Sequence, residues 1–205
     1  MRARTVRLPD RRIWLRLADP QWPAPLDPSF ARQSGGRWNP PGSFPTLYLN
    51  GDVGTARMQI DRLLAGSPVR PDDLDDDAYV LVAVTLPSNQ TCADAATTAG
   101  LQSLRLPKTY PLDASGMEVP HPVCQQAGAR IHERGLRGVW CRSACTTDGR
   151  GRELAWFPAT SRSQARPVWD APLALGDWRD ATDWGDLGLV EQADPLSAAP
   201  PRELP

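Results

Sequence analysis

The sequence predicts an α+β fold, because strand and helix patterns follow one another without regular βαβ alternation. Strand-like apolar patterns recur five times along the chain, at residues 11–18, 46–49, 78–86, 137–143 and 153–158. Helical spacing of apolar residues appears in two places, at 53–65 and 123–134. The resulting order is strand, strand, helix, strand, helix, strand, strand.

The first strand is predicted at residues 11–18, RRIWLRLA, where apolar residues alternate with others. Ile13, Leu15 and Leu17 point one way and Arg16 points the other, which is typical of a strand with one core face. A proline-rich loop then leads to the segment GGRWNPPG at 35–42, and the short strand-like run TLYL follows it.

The first helix is predicted over residues 53–65, with Asp52 as the N-cap and Gly66 just beyond the end. Its apolar stripe consists of Val53, Ala56, Ile60, Leu63 and Leu64. Gln59 falls on the buried side of this helix, whereas Asp61 falls on the outer face. A glutamine on an inward stripe needs hydrogen-bond partners or faces a cleft, so it is either a polar anchor of the core or a site residue.

The second half of the chain contains the clearest strand, AYVLVAVTL at 78–86. Residues 87–118 show little periodicity and are predicted to be a long excursion. The second helix, 123–134, is followed by two short strands that the turn-rich segment TTDGRGR joins. From about residue 180 the composition shifts to Asp, Gly, Pro and Ala, so we predict one domain over 1–180 and a loose tail over 181–205.

Charge and composition argue against several functional classes. The net charge of −1 and the pI near 6.1 give no basic field for nucleic acid or anionic lipid. A weaker interpretation, in which arginines and tryptophans form a nucleic-acid surface, lacks a basic cluster. No apolar run approaches the ~20 residues that cross a bilayer, and the N-terminus lacks a signal peptide's apolar stretch. Four irregularly spaced cysteines indicate no disulfide framework, so the reduced cytoplasm is expected.

Metal ligation and the common catalytic motifs also find no support. His121 and His132 are the only histidines, and Cys141 and Cys145 lack CxxC spacing and a second cluster. We therefore expect no metal. The sequence has no GxSxG elbow, Walker loop, GxGxxG fingerprint or HExxH motif.

Arg37 is the first candidate functional residue, because it lies in a constrained loop. The glycines and prolines around it reduce the entropy lost on ordering, so the loop could hold a guanidinium in a set direction. Such an arginine suits a phosphate through a bidentate contact. The alternative is a structural arginine that bridges loop carbonyls.

These segments together resemble the RES domain family, the toxins of bacterial toxin–antitoxin pairs. The resemblance covers roughly residues 11–170, and the block GGRWNPPG is its most specific part. Tyr48 on the following strand, the helix carrying Gln59, the Gly-hydrophobic strand before Ser143, and the strand with Arg16 match the remaining family segments.

The resemblance implies an ADP-ribosyltransferase-like fold, with a split antiparallel sheet and flanking helices. It also implies cleavage of the nicotinamide–ribose bond of NAD and an Xre-type helix-turn-helix antitoxin as partner. The acceptor of ADP-ribose (water, phosphate or a protein) stays open. The residues that match the family site are Gln59, Ser143 and Arg37 for catalysis, and Arg16, Arg37, Trp38 and Tyr48 for NAD binding.

The sequence departs from the family at one position, where Gln59 replaces a glutamate. Bond cleavage passes through an oxocarbenium-like ribose, and loss of one carboxylate charge there would cost on the order of 3 kcal/mol, about a hundredfold in rate. Three explanations fit: an engineered substitution that disarms a toxin, a natural variant with weak or changed activity, or a register shift that makes Asp61 the acid. A catalytically silent module that binds a nucleotide or a partner is the alternative function.

Overall fold

The fold is a mixed α+β architecture built on one large sheet, which confirms the predicted fold class. The structure is a computed structural model, and it describes residues 3–146 and 148–195. The strands are β1 Thr5–Arg7, β2 Ile13–Ala18, β3 Leu47–Asn50, β4 Val80–Thr85, β5 Thr91–Ala95, β6 Gly138–Arg142, β7 Arg152–Trp156, β8 Arg166–Pro167 and β9 Leu173–Ala174. The α-helices are α1 Ser29–Ser34, α2 Val53–Leu63, α3 Thr98–Leu104, α4 His121–Glu133 and α5 Leu175–Trp178.

Within the described residues, the sheet has the strand order β1-β5-β6-β7-β3-β2-β4-β8, with β9 paired to β4. Its pairs are antiparallel except for β5 and β6, which run parallel. The register between β2 and β3 consists of one pair, Leu15 with Asn50, whereas β2 pairs with β4 along six residues. The sheet is therefore nearly divided at this point, beside the end of β3.

The sheet is covered on both faces, so the prediction of a strand with one core face is wrong for β2. Leu15 packs with Val53, Ala56 and Ile60 of α2. Trp14 on the opposite face is also buried, within a second apolar cluster. Because loops cover that second face, a strand that looks amphipathic in sequence is apolar on both sides.

The predicted helix 53–65 begins as expected, since the Asp52 carboxylate accepts a hydrogen bond from the Thr55 amide at 2.6 Å. It ends at Leu63, whose side chain is 56% exposed and does not belong to the apolar stripe. Asp61 is exposed, as the stripe predicted, whereas Gln59 is partly buried.

Residues 87–118 are not an unstructured excursion, because they contain β5 and α3. The β5 segment TCADA consists of small residues without the branched apolar side chains that mark a strand in sequence. Helix α3 has seven residues, too few to show a clear period. Both elements form because they pack against β6 and the rest of the core.

The packed part of the chain extends past the predicted boundary at residue 180. Trp184 and Leu187 are buried against the cluster that contains α2 and β2. Gln192 accepts a hydrogen bond from the amide of Ile13 at 2.9 Å. Residues 196–205, the end of the predicted loose tail, lie outside the described residues.

None of the helices in residues 3–146 and 148–195 is long and apolar enough to cross a membrane.

Trp184→Ala is expected to lower the free energy of unfolding by about 3–5 kcal/mol, because it removes a large side chain that is only 4% exposed. Denaturant titration of both proteins measures the difference. The matched control is Val190→Ala at a position that is 78% exposed, where the change should stay within about 0.5 kcal/mol. Equal stability of the Trp184→Ala protein would show that residues 181–195 do not belong to the cooperative core.

Candidate functional site

The arginine loop, residues 35–42, is held in one conformation by hydrogen bonds to its own backbone. The Asn39 side chain is fully buried and donates to the carbonyl of Ala31. The amide of Gly36 donates to the carbonyl of Asn39 at 3.0 Å. The loop therefore presents Arg37 from a pre-organised backbone, as its glycine and proline content predicted.

Tyr48 fastens this loop to the sheet. Its hydroxyl accepts from the Trp38 amide and donates to Asn39 Oδ1, both at 2.8 Å. A Cβ at Gly36 would lie 2.5 Å from the Tyr48 hydroxyl, so the close approach of ring and loop requires glycine. Burial raises the pKa of Tyr48 well above its ordinary value, and the phenol remains neutral at physiological pH.

Trp38 supports the loop from the core side. Its side chain is 1% exposed, and its ring packs against Tyr110 with centroids 5.8 Å apart. Helix α4 approaches closely on the same side, because a Cβ at Gly128 would lie 1.8 Å from the Trp38 carbonyl oxygen. The predicted contact of Trp38 with NAD is thus not available to its ring in this conformation.

Arg37 lies in a cluster of charges that joins the arginine loop to α2 and to the segment before α4. Its guanidinium donates to the carbonyl of Val119 at 3.1 Å and pairs with the carboxylate of Glu118. The same carboxylate pairs with Arg62, which is on α2 one turn after Gln59. Burial and the charges of Arg37 and Arg62 lower the pKa of His121. Two arginines from separate elements therefore converge on one anionic group, which is the arrangement that suits a phosphate.

Gln59 is partly buried and bonds to the end of β3. Its Oε1 accepts a hydrogen bond from Asn50 Nδ2 at 2.8 Å, so β3 and α2 are joined by an amide pair. Asn50 is buried at the end of β3, next to the division in the sheet. The sequence left open whether Gln59 is a core anchor or a site residue; its bond to Asn50 makes it a polar anchor, and its role as a site residue stays a prediction.

Ser143 is fully buried and donates its hydroxyl to the carboxylate of Glu153. The Ser143 Oγ also accepts from the amide of Cys145 at 3.0 Å, so the serine is fixed in orientation. Burial raises the pKa of Glu153, and hydrogen bonds from Ser143 and the charge of Arg37 lower it in part. Because the charge of Arg37 acts on Glu153, the Ser143–Glu153 pair lies within electrostatic range of the arginine loop.

Sequence reasoning missed Glu153, although a signal was present. Along β7, Glu153 is in phase with Ala155, which packs in the core, and with the buried Phe157. A charged residue in the inward phase of a short strand indicates either a partner or a function. The segment ELAWFP predicts a strand, and the alternation of its side chains also puts the Glu153 carboxylate on the core face.

Arg16 lies apart from this cluster. Its guanidinium donates to the Tyr48 carbonyl at 2.9 Å and to the Pro25 carbonyl at 3.3 Å, and it lies 5.7 Å from the ring of Trp22. Burial lowers the pKa of Arg16 to about 10, so it stays charged at neutral pH. In the described part of the chain, no hydrogen bond or ion pair joins Arg16 to Arg37, Gln59 or Ser143.

Metal ligation has no geometric basis in residues 3–146 and 148–195. No group of three His, Cys, Asp or Glu side chains there is close enough to hold an ion.

The fold is an α+β protein in which Arg37 and Arg62 share one carboxylate, and in which Asn50 bonds to Gln59 and Ser143 bonds to Glu153. The chain belongs to the RES domain family, whose family model matches residues 11–176.

A solved structure with a similar fold is a chain of the MbcT–MbcA toxin–antitoxin complex of M. tuberculosis. The likeness has a TM-score of 0.62 and 18% sequence identity, and it covers 86% of this chain and 91% of that chain. No curated protein sequence gives a significant match.

Tyr48→Phe is expected to lower the free energy of unfolding by about 1–3 kcal/mol, because the Trp38 amide and Asn39 lose their hydrogen-bond partner. Chemical denaturation measures this difference. Tyr79→Phe is the control, since no described hydrogen bond involves the Tyr79 hydroxyl, and it should be nearly neutral. If the two variants were equally stable, the hydroxyl would not be what holds the loop.

Proposed function

We propose that this protein is a toxin of a toxin–antitoxin pair that binds NAD in a cleft between α2, the end of β3 and the arginine loop, and cleaves its nicotinamide–ribose bond. The observation that carries the proposal is the convergence of Arg37 and Arg62 on one carboxylate, one helical turn from Gln59 and its partner Asn50. Membership of the RES domain family supports it.

The two arginines suit the pyrophosphate of NAD. In the present conformation Glu118 satisfies both guanidinium groups, so a phosphate would take the place of its carboxylate. Arg37 is held by the rigid loop and only 10% of its side chain is exposed, which strengthens a charge-assisted hydrogen bond. Arg16 is proposed to support NAD binding indirectly, because its guanidinium donates to the backbone carbonyls of Tyr48 and Pro25 and so stabilises the strand that carries Tyr48.

The groups deeper in the cleft suit the ribose. Asn50 and Gln59 offer amide donors and acceptors to ribose hydroxyls, and Tyr48 keeps the nearby loop in place. Ser143 orients the neighbouring Glu153. Cleavage builds positive charge on the ribose, so the rate depends on how much negative charge the cleft directs there.

The proposed partner is an Xre-type helix-turn-helix antitoxin, and the proposed location is the cytoplasm. Support for a protein partner comes from the similar structure, whose own description is a toxin–antitoxin complex. Growth arrest on expression, relieved by co-expression of a helix-turn-helix protein encoded in the adjacent gene, is the result that this part of the proposal requires.

The second candidate is a catalytically silent module that binds a nucleotide. It is favoured by Gln59, whose neutral amide is already paired with Asn50. Calorimetry with NAD separates the two functions, because heat of binding without nicotinamide release identifies a silent module.

Incubation with NAD, with and without phosphate, is expected to release nicotinamide, measured by chromatography. Arg37→Ala should weaken NAD binding by about 10- to 100-fold, because it removes a charge-assisted contact worth about 1.5–3 kcal/mol. Arg32→Ala changes an exposed arginine next to the same loop and should leave binding unchanged. Nicotinamide release that is identical in all three proteins would disprove the role of Arg37.

Glu118→Gln is expected to tighten the binding of ADP-ribose about tenfold, equivalent to ~1.4 kcal/mol, because the phosphates no longer compete with a carboxylate for Arg37 and Arg62. Calorimetric titration measures the affinity. Glu133→Gln, at an exposed position on α4, is the charge-matched control. Unchanged or weaker binding by Glu118→Gln would mean that the two arginines do not receive the phosphates.

A further inference from the structure

Strand register places a carboxylate of β7 beside Asn50, the hydrogen-bond partner of Gln59. Asn50 and Glu153 are register partners in the antiparallel pair of β3 and β7. Side chains of such partners project from the same face, with Cβ atoms about 4.5–5.5 Å apart. Since Asn50 also donates to Gln59 at 2.8 Å, the Gln59 amide and the Glu153 carboxylate flank the same asparagine.

The carboxylate of Glu153 is held in place by a hydrogen bond. Its side chain is partly exposed, and the buried hydroxyl of Ser143 donates to it. Within the described residues Glu153 forms no ion pair. A partly desolvated carboxylate without an ion pair destabilises the folded protein, and such groups concentrate at functional sites.

The face on which Glu153 lies is the face of the site. Ala155, two residues along β7, packs in the same cluster as Trp38, and Tyr48 packs against that cluster. The charge of Arg37 acts to lower the pKa of Glu153, and the charge of Glu153 acts to raise the pKa of Tyr48. Glu153 is thus within electrostatic range of Arg37 and Tyr48.

We propose that Glu153 supplies the negative charge that stabilises the ribose cation, in the place of a carboxylate at position 59. This inference rests on the proposed function, because the charge has a catalytic role only if a cation forms in the cleft. The electron pair of the C1′–N bond leaves with nicotinamide, which becomes neutral, and C1′ becomes the oxocarbenium centre. The acceptor oxygen then bonds to C1′, and a water acceptor releases one proton to solvent.

A catalytic charge on Glu153 explains why α2 carries a neutral residue, Gln59. Two carboxylates that flank one asparagine would repel each other, and one of them would take up a proton. One carboxylate is therefore enough to stabilise the ribose cation, and it can come from either α2 or β7. In this chain β7 provides it, and Gln59 keeps the hydrogen bond to Asn50 without adding charge.

The test is a charge swap between positions 153 and 59, with nicotinamide release from NAD followed in steady state. Glu153→Gln is expected to lower kcat about hundredfold with KM nearly unchanged, because the lost interaction acts on the transition state. Gln59→Glu alone should change kcat less than tenfold. The double variant Gln59→Glu/Glu153→Gln should recover to within about tenfold of the natural protein.

Two controls separate catalysis from folding. Asp148→Asn removes an exposed carboxylate from the same β6–β7 hairpin and should leave kcat unchanged. Thermal unfolding of Glu153→Gln should occur at the same or a higher temperature, since a desolvated charge is removed. Glu153→Asp keeps the negative charge but shortens the side chain by one methylene, so kcat should fall about tenfold.

The possible failures can be told apart. If Glu153→Gln cleaves NAD at the natural rate, or if only proteins with glutamate at 59 cleave it, the assignment of Glu153 is overturned while NAD cleavage stands. A fall in both kcat and thermal stability that the double variant does not reverse would make Glu153 structural. If no variant, including the double one, releases nicotinamide although each folds, the proposed function itself is disproved.

Discussion

The site depends on one interaction, the double hydrogen bond of the Tyr48 hydroxyl to the backbone and side chain of the arginine loop. A single phenol on β3 accepts a hydrogen bond from the Trp38 amide and donates one to the side-chain oxygen Oδ1 of Asn39, and so it couples the loop to the sheet. Because the hydroxyl is buried, leaving either partner unsatisfied would cost more than the net value of an ordinary hydrogen bond. The direction of Arg37 follows from this attachment.

The second constraint is space. Gly36 lets the ring of Tyr48 lie against the loop, and Gly128 lets α4 approach the Trp38 carbonyl. A side chain at either position would separate layers that now touch, because the atoms met are backbone or a ring rather than a flexible chain end. The loop is therefore enclosed between β3 and α4, and its entropy is lost on folding rather than on ligand binding.

The distribution of charge at the site follows from the near division of the sheet. One residue pair joins β2 to β3, whereas β3 pairs with β7 along four residues, and Asn50 at the end of β3 also donates to Gln59 of α2. Cationic groups collect where Glu118 joins Arg37 to Arg62. The carboxylate of Glu153 lies without an ion pair in the described residues, which is a costly arrangement that a cationic reaction centre would relieve.

The sequence by itself determined the elements with strong local patterns: the α+β class, the helix capped by Asp52, the strand pair β6–β7 and the constrained loop around Arg37. It also placed Gln59 inward and Asp61 outward, since helical phase is a local property. Only the tertiary structure decided that Tyr48 holds the loop, that residues 181–195 pack on the core, and that β5 and α3 form from a segment with little periodicity. It alone brought Glu153 beside Asn50, because strand register joins residues about a hundred positions apart and leaves no mark in the spacing of either segment.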